Sequence, residues 1–129
     1  MPISKDQIAV LLVSLLGLIL HLYTLAFRVE GPVSPFLVGL FLWSLLPYTA
    51  TAFASFRPSL FWPALGFAIG SLSGDIFMHY SVFITPKGST AGLGLLFMPL
   101  WNLILLGPLG ALSFWAAYRV YRSRNAGAP

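Results

Sequence analysis

Residues 60–83 read LFWPALGFAIGSLSGDIFMHYSVF, an apolar run with a single charge, Asp75. A bilayer-crossing helix needs about 20 such residues. Two patterns lie inside the run. Gly66, Gly70 and Gly74 recur at every fourth position, and Asp75 is followed four residues later by His79. On a helix the glycines form one stripe, along which a neighbouring backbone can approach closely. Asp75 and His79 share a second stripe, which Ser71 extends by a turn. It lies about 100° round the helix from the first, so the two stripes are expected to face different neighbours.

The rest of the chain has the same character. Of its 129 residues, 58% are hydrophobic and 8% charged, against about 25% charged in a soluble domain. With a mean hydropathy of +0.88, so few charges cannot cover a folded body in water. Charged positions leave long gaps at Gln7–Phe27, Gly31–Phe56, Pro58–Pro86 and Gly88–Tyr118, of 21, 26, 29 and 31 residues. The fold expected is an all-α integral membrane protein, a four-transmembrane-helix bundle with short loops. Its spans fall at roughly 8–27, 36–56, 60–83 and 91–117, all in a single membrane domain over 1–129. Ser4-Lys5-Asp6-Gln7 has the form of a capping box and marks the first helix start. The apolar run after it is longer than a signal-peptide core, so the first span is expected to be retained.

Four spans put both termini on one side. Lys5, Arg57, Arg119, Arg122 and Arg124 then oppose Arg28 and Lys87. The positive-inside rule places the first group, and both termini, in the cytoplasm of a plasma or bacterial inner membrane. The net charge of +4 is read as orientation and as contact of Arg119, Arg122 and Arg124 with lipid headgroups, with no nucleic acid as partner. Trp62, Trp115, Tyr118 and Tyr121 fall near the same boundary, where amphipathic rings settle.

Pro47 and Pro108 lie inside spans and are expected to bend them, because each removes a backbone hydrogen bond. Pro99 divides the fourth gap, so that helix is expected to be kinked or broken near Pro99 and Pro108. The piece 89–98, with Gly92 and Gly94, is expected to be a bent helix start. Through the glycine stripe, the third helix is expected to pack against another span, with self-association or another membrane protein as the alternative.

The polar residues within the spans are the candidate site. An ionised Asp75 in lipid costs about 3 kcal/mol or more unless it is paired or hydrated. Counted at about 1.5 Å per residue from the cytoplasmic ends, His21, Ser44, Asp75 and Asn102 fall in one layer, with His79 a turn further out. Four uses of this layer follow. It can be a structural network with Asp75 paired to His79 or His21. It can serve proton-coupled transport or ion conduction through Asp75 and His79. His21 and His79 can be the axial ligands of a haem b, with Gly17 making room. Finally, Asp75, His79 and His21 can bind a metal ion.

Other chemistry is excluded by composition. Without cysteine there is no disulfide, thiolate metal site or iron–sulfur cluster. No Gly-x-Ser-x-Gly, His-Glu-x-x-His or phosphate-binding glycine loop occurs, and Thr85–Thr90 reads as a solvated turn. The function expected is that of a small polytopic, non-enzymatic subunit or binding module of a membrane assembly, with no catalytic residues and no cofactor. The alternatives are the transporter and the haem or metal subunit.

Overall fold

The computed structural model describes residues 4–28, 31–86, 88 and 93–126. Among them there are helices and turns and no strand. Helix α1 runs Lys5–Phe27, α2 Pro35–Ser44, α3 Leu46–Ser55, α4 Phe61–Phe83, α5 Leu93–Trp101 and α6 Gly107–Ala126. In space these make four rods, Gln7–Phe27, Pro35–Ser55, Pro58–Phe83 and Leu93–Asn125, each long and apolar enough to cross a membrane. Lys87 and residues 89–92, including Gly92 in the expected bent start, lie outside the described residues; α5 begins at Leu93.

Local chemistry explains the element ends. Ser4 caps α1 reciprocally: its hydroxyl accepts from the Gln7 amide, and the Gln7 side chain accepts from the Ser4 amide. The helix therefore starts three residues before the apolar run, at Lys5. Ser34 caps α2, with Pro35 in the first turn where a missing N–H costs nothing.

The second rod breaks at Leu45, two residues before Pro47, so that Pro47 falls in the first turn of α3. The chain accommodates the proline by starting a new helix. The fourth rod departs from the expectation in a different way. Pro99 is enclosed within α5, and the irregularity is a π turn at Asn102–Leu106, just ahead of Pro108. Pro108 has no N–H to offer one turn back, and the ladder relaxes to a wider turn in which the Gly107 amide bonds the Asn102 carbonyl. A side chain at Gly107 would collide with the Phe67 ring and that carbonyl, so the turn depends on glycine there.

Helix α4 is the hub, packed most extensively on α6 and also on α1 and α3. The glycine stripe makes the α6 contact. A Cβ on Gly66 would strike the Gly110 carbonyl oxygen, one on Gly110 the Gly66 carbonyl oxygen, and one on Gly70 the Leu106 carbonyl oxygen. Backbones this close leave the seam filled by the chain's own fourth rod, so a second copy would have to dock on a different face. The exterior is apolar, with Phe27 75% and Phe53 76% exposed, while Ser55, Ser71, Asp75 and Asn102 are fully enclosed. This is the reverse of a water-soluble fold.

Candidate functional site

Asp75 faces inward from the middle of α4 and is 1% exposed. Its Oδ1 accepts from Asn102 Nδ2 at 2.8 Å. Its Oδ2 accepts from the Tyr48 hydroxyl at 2.5 Å and lies 3.0 Å from His21 Nε2. The three partners sit on α1, α3 and the π turn of the fourth rod. One carboxylate thus meets a side chain from each of the other three rods.

Each partner is delivered by a local feature. Asn102 opens the π turn, a widening often found at functional sites, and is 0% exposed. Tyr48 follows Pro47 in the first turn of α3, and its ring fills the space beside Gly17, where a Cβ would overlap it. The room at Gly17 therefore belongs to Tyr48. His21 lies one turn beyond Gly17 on α1, with its ring 6.1 Å from that of Tyr48.

Three of the sequence-derived candidates, His79, Ser44 and Ser71, are buried but make no hydrogen bond to the Asp75 carboxylate. His79 does not touch the Asp75 carboxylate: its Nδ1 bonds the Asp75 backbone oxygen at 2.7 Å, and its Nε2 has no partner among the described residues. The close pair is His21–Asp75, while the His79 ring is held by its bond to the Asp75 backbone. Ser44 is buried but its hydroxyl donates to the Leu40 carbonyl at 2.9 Å, as serine does inside helices. The Ser71 hydroxyl is buried without a partner among the described residues. Nor are the two stripes of α4 separate. A Cβ on Gly74 would come 2.9 Å from Asn102 Oδ1, so the last glycine of the stripe holds a ligand of Asp75 in place.

Beside the carboxylate is a cleft of about 50 Å³ lined by His21, Ser44, Asp75 and His79, with Leu40 and Met98 among its apolar walls. That volume suits a few waters, whereas clefts for larger organic ligands run to about 300–1,000 Å³. The His21 and His79 rings meet edge to face at 5.3 Å between centroids, which leaves no haem-sized gap between them. Arg28, the available propionate partner, lies over Phe83 at 5.4 Å and Tyr23 at 5.9 Å. Among the described residues no group of three His, Cys, Asp or Glu is arranged to hold a metal ion.

Sequence reasoning missed Tyr48 and Gly110. A tyrosine eight residues inside a span end, away from the boundary where such rings gather, was the available sign of the first.

Fold and site define an all-helical bundle whose four rods can each cross a membrane and are tied at one buried carboxylate. Compared with known proteins, the chain matches no family model, no curated protein and no solved structure.

Proposed function

We propose that this chain is a small polytopic membrane protein acting as a non-enzymatic subunit or binding module of a membrane assembly, in a plasma or bacterial inner membrane with both ends cytoplasmic. The engagement of Asp75 from three sides carries the reading. A carboxylate that exchanges protons or cargo needs access and release from its partners. This one is 1% exposed and engaged by His21, Tyr48 and Asn102 from the other three rods. A polar group satisfied in this way specifies helix pairing. The surfaces left for work are the apolar flanks, with Phe53 and Phe77 more than two-thirds exposed, and large apolar faces mark sites that lipid or a partner covers. The excess of Lys and Arg at the end holding both termini supports the orientation.

The test is reconstitution into liposomes carrying a pH-sensitive dye. Wild-type protein and Asp75→Asn should both leave an imposed proton gradient intact, and photo-crosslinkers at Phe53 and Phe77 should give a defined heteromeric adduct in native membranes. Proton flux abolished by Asp75→Asn would overturn the reading.

One observation favours a second reading, proton-coupled transport through Asp75 and His79. His79 is 8% exposed, lines the cleft and keeps an unpartnered Nε2 among the described residues. The same flux assay decides between the two.

A further inference from the structure

A cavity that shares no lining residue with the Asp75 cleft lies at the end of the bundle where α1 begins and α6 ends. It measures about 760 Å³, and its walls include Gln7, Ser59, Trp115, Arg119, Arg122 and Ser123. Its two sides differ in chemistry. Arg119 holds its guanidinium 4.7 Å from the centre of the Trp115 ring, an aromatic contact that fixes its orientation. Arg122 lines the cavity one turn on, together with Ser4, Ser59 and Ser123. The α1 N-terminus, the positive end of that helix, opens onto the same space. Across the cavity Trp62 stacks on Tyr118 at 5.4 Å. This stack is shared with an adjoining apolar groove of about 420 Å³, whose other walls are Phe114, Ala117 and Tyr121.

We propose that this pair of spaces binds one anionic phospholipid, with the phosphate group between Arg119 and Arg122 and an acyl chain in the groove behind Trp62 and Tyr118. Charge selects the occupant. This end of the bundle carries Lys5, Arg57, Arg119, Arg122 and Arg124, with Asp6 as the single acid in the neighbouring sequence. A guanidinium pair matches the geometry of phosphate oxygens, and anionic headgroups concentrate at the face that basic residues mark. The arginine-lined cavity and the apolar groove on either side of one aromatic stack reproduce the layout of a lipid, headgroup on one side and tail on the other. A soluble anion would leave the groove unfilled. The inference rests on the chain's spanning a membrane, but binding in detergent does not depend on its orientation or on the role given to Asp75.

The experiment is native mass spectrometry of the full chain in neutral detergent, titrated with phosphatidylglycerol or with phosphatidylcholine of identical acyl chains. Wild-type protein should retain one phosphatidylglycerol in preference to phosphatidylcholine. Arg119→Gln and Arg122→Gln should each weaken that binding about fivefold, and the double variant about 25-fold. Arg124→Gln, at the same end but outside the cavity, should leave it unchanged. All three residues are exposed, and unaltered melting temperatures will check that the variants fold. Quenching of tryptophan fluorescence by lipid brominated on its acyl chains should be reduced in Trp62→Phe. Equal retention of the two lipids, an Arg124→Gln loss as large as that of Arg122→Gln, or displacement of the lipid by millimolar inorganic phosphate would overturn the proposal.

Discussion

The two faces of α4 hold the bundle by opposite means. On one, Gly66 and Gly70 bring its backbone against Gly110 and Leu106, and attraction is spread over many small contacts between surfaces that fit. On the other, where α4 meets α1 and α3, an apolar cluster of Val10, Ala54, Phe61 and Ala64 is joined by a single carboxylate that gathers His21 and Tyr48, and Asn102 from the fourth rod. The first face is sensitive to added volume and indifferent to charge. The second tolerates no loss of its one acceptor, since three buried donors depend on it. They meet at Gly74, whose missing side chain leaves room for Asn102.

The largest effect should come from Asp75→Ala, which strands those donors and should cost about 3–5 kcal/mol. Thermal melting in detergent, followed by circular dichroism, measures it. Next comes Gly66→Val, whose branched side chain would strike the Gly110 backbone and Phe114 Cβ, at about 3 kcal/mol. Asp75→Asn should be milder than Asp75→Ala, whereas Gly66→Ala should already be harmful. That contrast separates a chemical contact from a steric one. Tyr48→Phe removes one donor and keeps the ring beside Gly17, and should cost about 1.5 kcal/mol. Smallest is Ser44→Ala, within about 0.5 kcal/mol, because the Ser44 hydroxyl bonds its own helix. Gly66→Ala and Asp75→Ala combined should be additive within about 0.5 kcal/mol, as expected of independent sites. Gly74→Ala combined with Asp75→Ala should not be.

How much of this was legible in the sequence follows the range of the interactions. Spans emerge from charge spacing because the hydrocarbon core penalises charge whichever face of the helix carries it, most at the centre. The capping box at Ser4 is local and was readable, as was the small-residue face at Gly66. His21, Asp75 and Asn102 fall in one layer when depth is counted along straight helices, and the structure brings these three together. Ser44 comes out in the same layer and His79 a turn further out, and both line the cleft beside Asp75, yet each bonds a backbone carbonyl of its own helix. Depth says nothing about rotation or rotamer. Tyr48 and Gly110 escaped because their meaning lies in a partner on another helix: Gly17 for the one, Gly66 for the other. The π turn escaped because a proline announces a lost hydrogen bond, not how the chain makes it good.

The central claim is that Asp75 acts as a tie between rods, and a double-mutant cycle tests it most directly. Wild-type protein, Asp75→Ala, Tyr48→Phe and the double variant would be melted in the same detergent, and the coupling taken from the four stabilities. If the carboxylate is the tie, Tyr48→Phe costs almost nothing once Asp75 is gone, and the coupling energy is about 1 kcal/mol or more. Simple additivity of the two changes would contradict the account, since Tyr48 and Asp75 would then be stabilising the bundle separately.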